Sequence, residues 1–531
     1  MKIWTGGEDS KAGGSGTSAW LSDRAAVRWL AVLVAYAAVR SVIAAVTKPF
    51  WYDEICTQLV ALQPSIRALW SALGNAADAQ GPAYYLVERA ISPVLSNQEV
   101  ALRIPSIFGF CCITICVFIL VRRRAGSTYA LICSLIPFTT VLFETYAVEA
   151  RAYSLVVACV AAALVCYQRA SSWRWLGLMA LCLALGQSLH YYAVFALLPI
   201  GLAEAVRFLR TRENRIGVWA ALLIGVTPLV VFWPLLARFR EHYGAHYYAQ
   251  PSLFTVTVTY GTFFDAAARW GVAVAGVLAL GVLCAAVPPL AVKSESTSES
   301  ADIFGEQVLT LGLLGLPFAG YVVTKIAHGG LTSRYVIPML LGVPLALGYI
   351  LPRVGRRSVA LLAGFLLFVV FAREEQFWLS HDGHLTNEGK LVAGSIERLS
   401  GAAGHEDLPV VVSDGVEFVA LVHYADPYWQ NRFVCLVDPE EAVAYTRTDL
   451  LDKELVVLAT LAPMHVYRFP AFANRYPAFL LYSDDGRESG GPVDVFDWWP
   501  LRLARDGYSV DLLTGGGTRK VFLVSRGKNS R

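Results

Sequence analysis

Charge is scarce in this chain. Asp, Glu, Lys and Arg make up 16% of its 531 residues, a small share for a water-soluble protein of that length. A formal net charge of +3 leaves no basic excess for a nucleic-acid partner. No GxxxxGK run occurs, which counts against an ATP-driven pump, and no C-x-x-C pair suggests zinc. Eight of the ten cysteines (Cys111, Cys112, Cys116, Cys133, Cys159, Cys166, Cys182 and Cys284) fall inside apolar runs, where a thiol behaves as a small hydrophobe. Only Cys56 and Cys435 remain for aqueous segments, too few for a disulfide framework. The first 18 residues are polar and Gly/Ser-rich and contain no apolar stretch ending in a cleavage site. They read as part of a cytoplasmic tail, 1–24, before an uncleaved first helix.

What is present instead is apolar length. The hydrophobic share is 56%, and runs long enough to cross a hydrocarbon core lie at 25–46, 100–121, 128–148, 153–167, 175–190, 191–208, 216–236, 270–292, 308–326, 335–351 and 359–372. The expected architecture is a polytopic α-helical protein of the inner (plasma) membrane, with about 11 transmembrane helices over 25–372. Alternate connections carry Arg122-Arg123-Arg124, 169–174, 207–215, Lys293 and 353–357, and these read as inside loops. The first outer loop is then 48–99, and the corner at 149–151, the turn at His190, and the segments 238–269 and 328–334 share its side. From 373 the composition turns charged, with short β-rich runs at 409–413, 432–437, 455–459, 479–482 and 521–525. That alternation predicts an extracytoplasmic α/β domain over 373–531. Gly515-Gly516-Gly517 reads as a hairpin turn.

The residues with chemistry gather on the outer side. Asp53-Glu54 follows the aromatic cluster Phe50-Trp51-Tyr52 at the exit of the first helix. A carboxylate held there serves as a general base for an acceptor hydroxyl; the plain alternative is a pair of acids marking a helix end. Arg151 in the corner Glu149-Ala150-Arg151 suits a phosphate through its bidentate fork, or else completes an interfacial pair with Glu149. His190-Tyr191 stands between two helices, either facing a ligand or packed at the interface. His242 and His246 have the i, i+4 spacing of shared metal ligands, and His381-Asp382-Gly383-His384 is a second such cluster, but neither has recognisable third and fourth ligands.

These segments together resemble the GT-C glycosyltransferases, in the branch of the protein O-mannosyltransferases and the lipid A aminoarabinose transferase. The family's acidic pair after the first helix corresponds to Asp53-Glu54. Its His-Pro-Pro-Leu-Tyr-Tyr-like stretch corresponds to Gln80-Gly81-Pro82-Ala83-Tyr84-Tyr85, with Gln80 in place of His, which removes any role for a histidine at that position. The Glu-Ala-Arg-x-Tyr corner is matched at Glu149-Ala150-Arg151-Ala152-Tyr153, the His-Tyr pair at His190-Tyr191, and an Arg-Tyr-x-x-Pro stretch at Arg334-Tyr335 and Pro338. The resemblance implies a polyprenyl-phosphate-linked sugar donor, transfer with inversion to a lipid, glycan or protein hydroxyl, and no metal cofactor. Asp53 is then the base, Glu54 its orienting neighbour, and Arg151 and Arg334 the phosphate ligands. Two other classes share these features: a transporter or flippase for a lipid-linked saccharide, and a non-catalytic subunit of envelope-polysaccharide assembly.

Overall fold

The computed structural model describes residues 21–264, 297–353, 357–381, 388–484 and 497–526. Among the described residues, four helices are long and apolar enough to cross a membrane: Asp23–Thr47, Gln98–Ala125, Tyr191–Thr211 and Ser333–Pro352. Three further pairs pass together but are bent by 75°, 54° and 62°, giving up to seven crossings by length and composition. The sequence expectation of about 11 is thus met in part. The expected spans 153–167 and 175–190 form the helices Tyr153–Tyr167 and Trp173–Leu189, of 15 and 17 residues, and 359–372 lies within the helix Arg357–His381. The run at 270–292 lies outside the described residues.

The breaks sit at prolines. Pro137 lies in the short 3-10 turn between the Ser127–Cys133 and Val141–Ala147 helices, Pro234 opens the second half of the 54° pair, and Pro317 opens the second half of the 62° pair. A proline there removes an N–H and clashes with the preceding turn, so one apolar run becomes two helices. One large apolar cluster joins the bundle, from Ala26 and Leu30 through Phe110, Phe138 and Leu164 to Leu341 and Leu351. At the end of the bundle away from the acidic pair, Arg122 meets Asp23 at 2.7 Å and Arg124 meets Glu306 at 2.6 Å.

The loop 48–99 folds into the helices Tyr52–Ala61, Ile66–Gly74 and Pro82–Ile91. Beyond residue 388 lies a six-stranded sheet, β1 (Val410–Val412), β2 (Phe433–Val437), β3 (Val466–Arg468), β4 (Ala478–Asp484), β5 (Tyr508–Gly516) and β6 (Arg519–Arg526), in the order β3-β2-β1-β4-β6-β5. β1 to β4 pair in parallel, whereas β6 runs antiparallel to β4 and β5. The strands expected at 409–413, 432–437, 479–482 and 521–525 are present, and Gly517, at φ 62°, turns the β5–β6 hairpin.

The run 455–459 is a correction. It belongs to the helix Leu450–Leu458, whose Leu455 and Leu458 face the sheet core a turn apart, a spacing that a short apolar run does not distinguish from a buried strand. β3, only three residues, and the half-exposed β5 carry too little apolar signal to be read in advance. One face of the sheet packs onto the loop 48–99: Phe50, Tyr52, Ile55 and Cys56 share a core with Phe418, Leu421, Leu455 and Leu480. The Phe50 N–H also donates to the Tyr424 hydroxyl at 2.6 Å.

The loop is fastened to the bundle by one fully buried ion pair. Arg103 holds both carboxylate oxygens of Glu54, at 2.8 and 2.7 Å, and caps the carbonyls of Ala45, Lys48 and Pro49 at 3.0, 2.6 and 2.9 Å. Every donor on that fork finds an acceptor, the condition under which a buried pair holds its charge. Arg103→Ala strands the Glu54 carboxylate in a dry site and costs about 3–5 kcal/mol. A clear drop in the thermal midpoint of the detergent-solubilised protein is expected, and an unchanged midpoint would contradict the role.

Candidate active site

The site is built on the first turn of the Tyr52–Ala61 helix. Glu54 points inward to Arg103 and accepts a further bond from the Ala150 N–H at 2.7 Å, which ties the 149–152 corner to the same helix. The next residue back, Asp53, is left partly open. Arg334 Nη1 meets its carboxylate at 2.8 Å, and Arg151 Nη2 approaches the same oxygen at 3.8 Å. Both arginines expected from the sequence therefore converge on Asp53. Glu54 does not join them: with both oxygens committed to Arg103 and to backbone N–H groups, it is a fastening residue, and its expected part in orienting Asp53 or an acceptor finds no free atom.

The corner is held from three sides. Ser106 Oγ donates to the carbonyl of Glu149 at 2.5 Å and to that of Arg151 at 3.0 Å, and Gln80 Oε1 accepts from the Ala152 N–H at 2.9 Å. Gln80 Nε2 in turn donates to Thr57 Oγ1 at 3.2 Å and to Asp78 at 3.3 Å, so Gln80 bridges the loop and the corner. Gly81 is needed for that approach, because a Cβ there would stand 2.1 Å from the Ser188 carbonyl oxygen. Arg151 Nη1 spends its hydrogen bonds on Asp78 at 2.7 Å, Thr57 Oγ1 at 3.0 Å and the Asp53 carbonyl at 3.2 Å.

Asp78 is the residue that sequence reasoning passed over, although it stands two positions before Gln80. Burial raises its pKa, but Arg151, the Ala79 N–H and Tyr85 more than reverse this, and the carboxyl is held below its ordinary range. Two cations and two carboxylates thus alternate in one cluster. The Nε atoms of Arg151 and Arg334 are buried donors with no acceptor among the described residues. Buried donors are nearly always paired, so two orphans in one cluster mark the place of an absent acceptor.

Aromatic rings wall the cluster. Tyr192 stacks on Tyr335 at 3.9 Å, and His190 sits between Tyr153, Tyr192 and Tyr335 with ring centroids 5.1, 5.7 and 5.8 Å away. Tyr247 pairs its hydroxyl with that of Tyr335 at 2.7 Å, and Tyr248 accepts from Arg334 Nη2 at 2.7 Å. His190 is buried, and its Nδ1 accepts from the Tyr192 N–H at 3.3 Å, so it caps the turn. Tyr191, Tyr84 and Tyr85 are buried. Tyr85 lies beside Asp78. Glu149 pairs with Lys48 at 2.8 Å rather than with Arg151.

The two histidine clusters do not assemble a metal centre among the described residues, where no group of three or more His, Cys, Asp or Glu side chains is placed to hold an ion. His246 meets Asp449 at 3.4 Å and His242 lies edge-on to Tyr243. Asp382, Gly383 and His384 lie outside the described residues.

No family model matches this chain, and no curated protein matches it in sequence. Solved structures do share its fold. ArnT from Cupriavidus metallidurans in the apo state superposes with a TM-score of 0.58 at 13% identity, covering 94% of this chain and 98% of that one. ArnT from the same organism bound to undecaprenyl phosphate gives 0.55 at 13% identity, with the same coverage of 94% and 98%. The chain therefore shares the fold of these ArnT structures over nearly its whole length.

Proposed function

We propose that the chain is a membrane glycosyltransferase that moves a sugar from a polyprenyl-phosphate donor to an acceptor hydroxyl on the outer face. The observation that carries this is the convergence of the buried Arg151 and the partly buried Arg334 on Asp53, each with an uncommitted, buried Nε–H. A phosphate supplies the missing acceptors in the bidentate geometry that guanidinium groups favour. The fold adds support, since the ArnT it resembles has been captured with undecaprenyl phosphate.

The division of labour follows from the site. The lipid phosphate takes the forks of Arg151 and Arg334, and Arg334 lets go of Asp53. The freed carboxylate accepts the proton of the acceptor hydroxyl while that oxygen attacks the anomeric carbon. The bond from that carbon to the phosphate oxygen breaks, and the departing phosphate keeps the electron pair beside the two guanidinium groups. Cations already in place at the growing charge stabilise the transition state most, and here they leave no step that depends on a metal. Direct displacement inverts the anomeric centre. Asp78 keeps Arg151 aimed, and Gln80, Tyr84, Tyr85, His190, Tyr191 and Glu149 shape the pocket around it.

The transmembrane part is assigned to 25–372 with about 11 crossings, following a cytoplasmic tail at 1–24, and 373–531 to an extracytoplasmic domain at the inner membrane. The sheet region rests on the loop that carries Asp53, which supports assigning both to one side of the bilayer.

Membranes carrying the unmutated protein are expected to transfer label from a radiolabelled polyprenyl-phosphate sugar to native envelope acceptors. Asp53→Asn is expected to lower transfer by about 10²–10⁴-fold. Arg151→Lys and Arg334→Lys lose the fork and lower it by about 10²-fold. Undiminished transfer by Asp53→Asn would remove the base from Asp53, and absence of transfer by the unmutated protein would contradict the function.

A further inference from the structure

Glu454 lies on the Leu450–Leu458 helix, about 400 residues from Asp53 in sequence and outside every motif of the membrane half. That helix is fixed over the outer loop on several sides. Leu455 and Leu458 share a core with Phe50, Tyr52, Ile55 and Cys56, and Val457 packs with Val60, Ala61, Leu69 and Tyr85. Lys453 Nζ donates to the His242 carbonyl at 2.9 Å, and Asp449 pairs with Lys453 at 2.7 Å and His246 at 3.4 Å. Glu454 stands one turn before Leu458 on the same face. Its carboxyl lies beside the Tyr52 hydroxyl, within electrostatic reach of Asp53, Asp78 and Arg151.

The site thus gathers three carboxyl groups around two arginines. Three ionised carboxylates would repel the phosphate that the arginines await. Burial, then Asp78 and Asp53, push the Glu454 pKa up to about 8, so the group is largely uncharged at neutral pH. An uncharged carboxylic acid both donates and accepts a hydrogen bond, the pairing that a sugar hydroxyl offers in return, and it adds no negative charge beside an anionic carrier.

We propose that Glu454, seated on the transfer site by the C-terminal domain, hydrogen-bonds hydroxyl groups of the sugar on the lipid phosphate and sets which sugar is accepted. This rests on the glycosyl-transfer function proposed above and gives the C-terminal domain a part in selecting the donor. It also explains why the domain meets the bundle through the helix that bears Asp53 rather than through an apolar patch elsewhere.

The test is binding of bare undecaprenyl phosphate, and of undecaprenyl phosphate linked to glucose, mannose or arabinose, to the full chain in nanodiscs. The unmutated protein is expected to bind at least one sugar-bearing lipid more tightly than the bare lipid. Glu454→Ala removes that preference, weakening the sugar-bearing lipid about tenfold while leaving bare lipid unchanged, and Glu454→Gln, which still donates and accepts, keeps it within about threefold. A preference that survives Glu454→Ala, an equal loss of both lipids in both variants, or no sugar preference in the unmutated protein would each overturn the proposal. Failure of the unmutated protein to bind any of these lipids contradicts the glycosyl-transfer function itself, and the inference with it.

Discussion

The Glu54–Arg103 pair is the fastening on which the rest of the site depends. Its atoms are out of water, and its bonds reach the end of the first helix, the start of the Tyr52–Ala61 helix and the corner at Ala150. A buried ion pair adds little net stability when compared with apolar packing, but it is unforgiving of displacement, because either partner alone is a stranded charge. Its consequence is positional. With Glu54 turned inward, its neighbour Asp53 is turned the other way, toward Arg151 and Arg334. The acidic pair therefore divides into one carboxylate committed to fastening and one that faces the two arginines, and adjacency in the chain is what couples them.

A second layer follows from hydrogen-bond completion. Gln80, Ser106 and Thr57 consume the polar groups of the corner, so Arg151 arrives with one face committed to Asp78 and its Nε free. Arg334 is held by Asp53 and Tyr248 and likewise keeps its Nε. In the proposed reaction a phosphate competes with Asp53 for the Arg334 fork, which would couple donor binding to release of the base.

Much of this was legible in the sequence, and the exceptions have physical reasons. The first two spans, the pair Asp53-Glu54, the corner at Arg151 and the segment opening at Arg334 could be read from apolar length and from residue types set at chain reversals. The positions within the acidic pair could not, since they depend on Arg103, about 50 residues away, whose place in the apolar run 100–121 suggests burial but does not name its partner. Asp78 was hidden in the same way, because its meaning comes from Arg151. Prolines that bend three apolar runs were visible, yet their effect on the number of crossings depends on how the halves pack. The 455–459 run misled because Leu-Val-Val-Leu-Ala fits a strand and a helix equally, and only the contacts of Leu455 and Leu458 decide.

In the proposed reaction the two arginines await a phosphate which displaces Arg334 from Asp53. A high-resolution structure of the protein with undecaprenyl phosphate bound tests it most directly. Phosphate oxygens are expected within hydrogen-bonding distance of the Nε atoms of both Arg151 and Arg334, with the 2.8 Å contact between Arg334 and Asp53 opened. A phosphate bound elsewhere, with that contact intact, would contradict the account.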